Sequence, residues 1–261
     1  MKFCIISPTY NAEKFVKECI DSVKMQKDCE YRHVLVNDAS TDKTFDIIQE
    51  ECAYDSRCYV VNKSTRLGTL HSHILGTELS EAHLDDVIVH LDGDDAFAHA
   101  EVLSRIKQEY EKGYLATYGN YRIAGSEKFH PEVTKHSVCG PKVTNIAPRQ
   151  QIHNPGWRYG AIRTFKKFLF DRIPPYYFFD SSATLFSSAA DVAIFLPIIE
   201  MIGWDNLAYI EEELMIHNYH PLTEWQRDDG AGMEEKTRCQ REMCFMKPLS
   251  KLSDINELAT S

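Results

Sequence analysis

The sequence predicts an α/β fold with a mainly parallel sheet flanked by helices and a C-terminal extension. Strand and helix patterns alternate at the rhythm of βαβ units over about the first 120 residues. The strand pattern at residues 87–91 is a run of mostly apolar residues, which is typical of a strand buried on both faces. Polar residues collect directly after three of the strand patterns, where a sheet of this kind places its ligand.

The predicted elements of this region follow in order. Strands are predicted at residues 2–7, 33–37, 58–61 and 87–91, with a fifth that begins near residue 115. Helices are predicted at residues 12–25, from residue 42, at 70–79 and at 100–111, where Gly113 ends the last one. The first helix has one apolar face, formed by Phe15, Val16, Cys19, Ile20 and Val23.

The rhythm breaks after residue 121. Residues 124–156 are rich in glycine and proline and predict a loop over the active face. Helical patterns return at 158–170 and 187–202, and residues 208–219 predict a strand pair or a strand plus an irregular segment. We divide the chain into residues 1–120, residues 121–220 and an extension at 221–261 that serves as a lid, an oligomer arm or a tail.

Composition excludes several classes of protein. The 261 residues carry 29 Lys and Arg against 39 Asp and Glu, a net charge of −10, which argues against a nucleic-acid partner. No apolar stretch approaches the roughly 20 residues that span a bilayer, and the N-terminus enters a strand at once. We therefore expect a cytoplasmic protein, in the cytosol or peripheral on the cytosolic face of a membrane. None of the eight cysteines forms a Cys-x-x-Cys pair, and disulfides are not expected.

The stretch Val-His-Leu-Asp-Gly-Asp-Asp at residues 89–95 is the most informative. Its carboxylates, Asp92, Asp94 and Asp95, repel one another at the end of a buried strand. A divalent metal with oxygen ligands, shared with a substrate phosphate, would compensate them. The alternative is a solvated acidic turn in which Asp95 caps the helix that begins near His99.

Two other strand ends carry polar motifs, Ser-Pro-Thr-Tyr-Asn at residues 7–11 and Asn-Asp-Ala-Ser-Thr-Asp at 37–42. Together with the acidic stretch, this set resembles family 2 of the GT-A glycosyltransferases. In that family the first strand ends in Ser-x-x-x-Asn, the second in Asp-Asp-x-Ser-x-Asp, and an Asp-x-Asp motif binds metal. Two positions depart from the pattern: Asn37 replaces an Asp, and Ala39 replaces a Gly.

The resemblance implies a GT-A fold and roles for the first two motifs. Pro8, Thr9 and Tyr10 would line the nucleotide-base pocket, and Asp38 would accept from an N–H of the base. Arg66 falls where the family often contacts the nucleotide and would pair with its diphosphate. Without the resemblance, Asp38 is a strand-end turn residue, Tyr10 a half-buried aromatic and Arg66 a surface arginine.

The resemblance also implies a metal site for Mn²⁺ or Mg²⁺. Asp94 would be a ligand, Asp92 would share the metal or bind the ribose, and Asp95 would reach the donor sugar or only cap a helix. His217 and His220 lie where some relatives place a histidine near the metal or diphosphate, and His220 is the predicted ligand. The alternative is a pair of surface histidines.

Asp191 matches the second acidic motif of the family, at the start of a late helix, and is the predicted catalytic base. Ala190 replaces the first acid of that motif. The alternative is an aspartate that stabilises the helix N-terminus through its dipole.

Residues 1–120 would then bind a nucleotide-sugar donor, with UDP favoured over GDP as its nucleotide. Residues 121–220 would bind the acceptor, which is a glycan, a lipid-linked sugar or a protein. A homo-oligomer is left open. The predicted activity is a metal-dependent, inverting sugar transfer. One alternative is a sugar-1-phosphate nucleotidyltransferase, which would carry a Gly-rich loop with a basic residue where this chain has Pro-Thr-Tyr-Asn. The other is a non-catalytic nucleotide-sugar-binding protein, which the loss of an acid at Ala190 keeps open.

Overall fold

The computed structural model of the protein describes residues 1–124, 139–152, 157–160, 162–218 and 231–253. The strands in these ranges are β1 (Phe3–Thr9), β2 (Tyr31–Asn37), β3 (Cys58–Asn62), β4 (Val87–His90), β5 (Ala96–Phe97), β6 (Ala116–Ile123), β7 (Arg163–Lys166) and β8 (Leu207–His217). The α-helices are α1 (Val16–Lys24), α2 (Thr44–Cys52), α3 (Thr69–Leu79), α4 (Val102–Glu111), α5 (Lys167–Asp171), α6 (Ala190–Ile202) and α7 (Ala231–Phe245). Short 3₁₀ turns cover Pro148–Ile152, Pro175–Phe178 and Trp204–Asn206.

The strands form one sheet in the order β3-β2-β1-β4-β7-β6-β8-β5 across the described part of the chain. Strands β1 to β4 pair in parallel. Beyond them β7 runs antiparallel to β4 and β6, β6 and β8 are parallel, and β5 is antiparallel to β8. The predicted α/β sheet flanked by helices is confirmed. Because β1, β2 and β4 are parallel, their carboxyl ends meet at one edge.

Alternation along the buried strands gives the sheet two apolar faces. In β1, Cys4 and Ile6 join the core formed with α3, α5 and α6, while Phe3 and Ile5 join the core formed with α1 and α4. The second half of the domain therefore covers one face of the first.

Helix α6 is the most apolar helix and is buried along nearly its whole length. A helix that is apolar on all sides belongs inside the protein, and Gly203, at φ 69°, ends it. Among the described helices, none is long and apolar enough to cross a membrane.

The helix predicted at residues 158–170 is wrong in its first half. Residues 163–166 form strand β7, and helix α5 covers only residues 167–171. The buried apolar residues Phe165, Phe168 and Leu169 fit either period over so short a run, and the strand pairs with β4 and β6, far away in the sequence. Residues 207–217 form one strand, which decides between the two predictions for that segment.

Parts of the two irregular segments are also described. Residues 139–152, from the predicted loop, end in a 3₁₀ turn whose Gln151 and Ile152 are buried. In the C-terminal extension, Cys239 and Met243 of α7 are buried in the core that includes α6. All eight cysteines lie in the described ranges and are free thiols there.

Candidate active site

One cavity of about 550 Å³ lies at the carboxyl ends of β1, β2 and β4. Nine of the predicted site residues line it: Pro8, Thr9, Tyr10, Asp38, Arg66, Asp92, Asp94, Asp95 and Asp191. The tenth, His220, lies outside the described residues. The fold thus brings the three strand-end motifs and the start of α6 to one place.

The loops after β1 and β2 are bonded to each other. The Asn11 N–H donates to Ser40 Oγ at 3.0 Å, and the Thr41 N–H donates to Asn11 Oδ1 at 2.9 Å. Ala39, which stands where the family has glycine, has a left-handed φ of 58°. The backbone shape that favours glycine is therefore kept, at a conformational cost of about 1–2 kcal/mol for alanine.

Asp38 is buried and organises the next loop. Its Oδ1 accepts from the Leu67 N–H at 2.9 Å and pairs with Lys63 Nζ, and its Oδ2 accepts from the Gly68 N–H at 2.8 Å. A carboxylate oxygen has two lone pairs, so Oδ2 retains the capacity to accept from a ligand. The loop that carries Arg66 is thereby fixed against the cavity.

Tyr10 and Arg66 both line the cavity and stack on each other. The Arg66 guanidinium lies 3.8 Å from the centre of the Tyr10 ring, and Tyr10 is 39% exposed. This is a cation–π contact between the residue predicted to stack on the base and the one predicted to pair with the diphosphate.

Gly93 allows the acidic turn to lie against the end of β1. Its N–H donates to the Pro8 carbonyl at 2.8 Å. A Cβ atom at this position would lie 2.1 Å from Thr9 Cγ2 and 2.9 Å from the Pro8 oxygen. The glycine within the acidic motif is therefore required by the close approach of two backbones.

The acidic turn concentrates negative charge. Burial, together with the Asp95 and Asp92 carboxylates, raises the pKa of Asp94 to about 8. Burial also raises the pKa of Asp95. Burial favours a higher pKa for Asp92 as well. A hydrogen bond from His73 and the charges of His73 and Arg163 outweigh burial, so the pKa of Asp92 is lowered. Asp94 is thus the carboxyl whose charge is least compensated.

The end of β8 holds the acidic turn from the other side. Asp95 Oδ1 bonds His217 Nδ1 at 2.9 Å and accepts from the Asn218 N–H at 3.1 Å, while Asn218 Nδ2 donates to the Asp94 carbonyl at 2.9 Å. Although burial opposes it, the bond to Asp95 and the charges of Asp95, Asp94 and Asp92 raise the pKa of His217. Asp95 therefore links two strands that are distant in the sequence.

A cluster of three basic side chains lines the cavity next to Asp92. His73 Nε2 lies 3.1 Å from Asp92 Oδ1, and the rings of His73 and His90 stack with their centres 4.0 Å apart. Burial, with the charges of His73 and Arg163, lowers the pKa of His90 well below its usual value, so its ring is neutral. Arg163 of β7 lies directly opposite His90 of β4.

Asp191 lies in the first turn of α6, where no side chain caps the helix because Ala189 occupies the N-cap at φ 59°. The loop before α6 is held by α7: Ser187 Oγ donates to Glu235, and Lys236 of the same helix lines the cavity. The C-terminal extension therefore contributes to the wall beside the predicted base.

The donor set fits a divalent cation. Oxygen ligands suit Mn²⁺ and Mg²⁺, and the crowded Asp94 carboxyl is stabilised as an anion by an added positive charge. Within the described ranges, no three His, Cys, Asp or Glu side chains converge closely enough to hold a metal ion alone. A phosphate and water would complete the coordination, as Mg²⁺ sites usually require.

The sequence did not lead us to assign His90 or Lys236 to the site. His90 gave a signal, because it is a polar residue inside an otherwise apolar strand that ends in the acidic motif. Lys236 gave none, since its position depends on α7 packing against distant elements.

A family of known proteins shares the sequence pattern of most of this chain. The model of the family described as "Glycosyl transferase family 2" matches residues 4–185. The chain belongs to this family. An uncharacterized glycosyltransferase of Haemophilus influenzae is 29% identical over 123 residues, 47% of this chain and 48% of that protein. Glycosyltransferase GlyG of Streptococcus pneumoniae is 25% identical over 180 residues, 65% of this chain and 58% of that protein. This family 2 chain thus spans about half the length of these two relatives.

Solved structures show the same fold. S. aureus TarS 1–349 in complex with UDP has a TM-score of 0.65 and 17% identity, with 96% of this chain and 68% of that chain covered. Glucosyl-3-phosphoglycerate synthase from Mycobacterium tuberculosis, in complex with Mn²⁺, UDP and glucosyl-3-phosphoglycerate, has a TM-score of 0.60 and 15% identity, with 94% and 81% covered. The family 2 chain therefore has the GT-A fold that the motifs implied.

Proposed function

We propose that the protein transfers a sugar from a nucleotide-diphosphate sugar, with UDP as the nucleotide, to an acceptor hydroxyl, with inversion and with a divalent metal. The observation that carries the proposal is the cavity that Asp38, the acidic turn and Asp191 share. The UDP and Mn²⁺ named in the complexes of TarS and the mycobacterial synthase support this choice of donor and metal.

The residues divide the reaction between them. Asp38 and Tyr10 hold the base, Arg66 pairs with the diphosphate, and Thr9 and Pro8 shape the pocket. Asp94, with Asp92, would hold Mn²⁺ or Mg²⁺, which would neutralise the charge that develops on the leaving diphosphate. His220 stays a prediction; His217, oriented by its bond to Asp95, lies beside the acidic turn and lines the cavity.

Asp191 accepts the proton of the attacking hydroxyl. In an inverting displacement the acceptor attacks the face of the anomeric carbon opposite the leaving group. A carboxylate suffices as the base if the proton moves late, in an oxocarbenium-like transition state. The acceptor is a glycan, a lipid-linked sugar or a protein side chain. The proposed location of the enzyme is the cytosol.

A donor screen tests the proposal without a known acceptor. The protein is incubated with a panel of UDP-sugars, with and without Mn²⁺, and UDP release by slow hydrolysis is followed. We expect Mn²⁺-stimulated release from at least one donor. Release of pyrophosphate from UTP and a sugar 1-phosphate would instead identify a nucleotidyltransferase, and binding of donors without turnover would identify a non-catalytic binding protein.

A further inference from the structure

Three side chains on the wall of the cavity each carry a buried polar atom without a hydrogen-bond partner. These atoms are His73 Nδ1, His90 Nε2 and Arg163 Nε. Unsatisfied buried polar atoms destabilise a fold and are uncommon in native proteins, so three of them on side chains that line one cavity point to a ligand. We name His73, His90 and Arg163 the basic floor.

The basic floor is one connected unit. His90 and Arg163 are directly opposite each other in the β4–β7 ladder, and His73 stacks on His90 at 4.0 Å. His90 is only 4% exposed. Its ring also packs edge-on against Phe165, which belongs to the core formed with α6. The floor therefore lies on the sheet face that α6 covers, and α6 begins at the predicted base.

The chemistry of these atoms indicates the group that would satisfy them. The Arg163 Nε–H can only donate, whereas a histidine ring nitrogen can accept or donate, according to its tautomer. A hydroxyl group matches both, because it donates and accepts at once. A carboxylate fits less well, because Asp92 bonds His73 at 3.1 Å and would repel a second negative charge there.

We propose that the basic floor hydrogen-bonds hydroxyl groups of the transferred sugar and so selects the donor among UDP-hexoses. This inference rests on the proposed function and adds to it the residues that distinguish one donor sugar from another. A site built to bond a hydroxyl discriminates against donors in which that hydroxyl is moved or missing, because its buried polar atoms are then left unpaired.

The test uses the full chain with two variants and a matched control. His90→Phe keeps a flat ring but removes both nitrogens, and Arg163→Lys keeps the charge but removes the Nε–H. The control is His71→Phe, since His71 on the same helix as His73 also carries a buried unpartnered nitrogen but does not line the cavity. For each protein we measure affinity for UDP and for each UDP-sugar with Mn²⁺, the rate of UDP release, and Tm without ligand.

We expect the wild-type protein to prefer one of UDP-glucose, UDP-galactose and their N-acetyl forms by about tenfold or more, and His90→Phe to reduce this ratio by about tenfold. Arg163→Lys has a smaller effect in the same direction. Both variants should bind UDP with the wild-type affinity, and His90→Phe should have a Tm at or above that of the wild-type protein. The control His71→Phe should keep the wild-type selectivity.

Two outcomes overturn the inference alone: unchanged selectivity in both variants, or equal losses of affinity for UDP and UDP-sugars, which would mean that the floor only supports Asp92. If the wild-type protein prefers UDP-glucuronate and His90→Phe abolishes that preference, the group that the basic floor binds is a carboxylate and not a hydroxyl. If the wild-type protein releases UDP from no donor at all, the proposed function itself fails.

Discussion

The wall of the cavity formed by the turns after β1, β2 and β4 differs from the wall formed by the loop before α6. In the first, backbone bonds between neighbouring strands hold the loops: the Asp38 N–H donates to the Thr9 carbonyl at 2.8 Å, and the Gly93 N–H to the Pro8 carbonyl at 2.8 Å. In the second, Ser187 is held by the Glu235 side chain of α7. We call the first the donor wall and the second the acceptor wall, after their proposed roles. The donor wall is fixed by the sheet itself, and the acceptor wall depends on a distant helix.

The largest expected effect tests whether the acceptor wall carries catalysis. Asp191→Asn keeps the size of the side chain but cannot take up the proton of the acceptor. Transfer should fall by roughly a hundred- to ten-thousandfold, the range for loss of a general base, with Tm and donor affinity almost unchanged. Kinetics on a purified, folded variant check this. A variant that melts early yet turns over normally would show that Asp191 only stabilises the helix.

The next effect belongs to the donor wall. Asp94→Ala should reduce Mn²⁺-stimulated transfer by about a hundredfold or more, because a ligand of the metal is lost. The fold should stay intact, because the Asp94 carboxylate is repelled by Asp95 and Asp92 and its removal relieves that repulsion. Titration of Mn²⁺ into the UDP complex should show weaker metal binding. Near wild-type activity with Mn²⁺ would remove Asp94 from the metal site.

Two variants, with the third-largest expected effect, separate base recognition from loop support within the donor wall. Asp38→Asn should weaken UDP binding by about tenfold, with a smaller effect on the chemical step, because this contact is similar in the ground and transition states. Lys63→Met removes the buried ion pair but leaves the carboxylate. It should lower Tm while UDP affinity stays near the wild-type value. Calorimetric titration with UDP checks both, and equal losses in both variants would make Asp38 a support for the loop.

The smallest effect concerns the contact between α7 and the acceptor wall. Bonds from Arg238 and Ser187 lower the pKa of Glu235 to about 2. A depressed carboxyl pKa stabilises the folded state above the unfolded pKa, and this contribution is lost as the pH falls toward the folded value. Glu235→Gln should therefore lower the free energy of unfolding at pH 7 by on the order of 1 kcal/mol or less, as for other exposed pairs, and Tm should fall with it.

The difference in Tm between Glu235→Gln and the wild-type protein should shrink as the pH falls from about 5 toward 2. Glu234→Gln, one residue earlier and exposed, is the matched control and should show no such trend. A difference independent of pH would mean that the glutamate acts through packing alone.

The contrast between the two walls also explains what the sequence could predict. The donor wall consists of strand-end motifs, each local in the sequence, so Asp38, the acidic turn and the glycine between its aspartates were visible as patterns. Parallel strands bring such motifs together whatever the rest of the chain does. Asp191 was visible only through half of a motif, since Ala190 stands in place of its first acid.

The remaining parts depend on contacts that no local pattern encodes. Residues 163–166 have apolar positions that fit a helix as well as a strand, and only pairing with β4 and β6 decides between them. The same pairing places Arg163 beside His90. Likewise, Cys239 and Met243 are too few apolar residues to predict that α7 packs on the domain, and Lys236 reaches the cavity only because it does.

The contact of Gly93 with Thr9 and Pro8 has a consequence for engineering the donor specificity of the protein. A side chain at position 93 would lie 2.1 Å from Thr9 Cγ2, so the acidic turn and the loop after β1 have no room to move independently. Loop grafts at residues 8–11 intended to change the nucleotide would displace Asp92 and Asp94 as well. Libraries that vary residues 63–68 reach the same cavity through Asp38 and leave that contact in place.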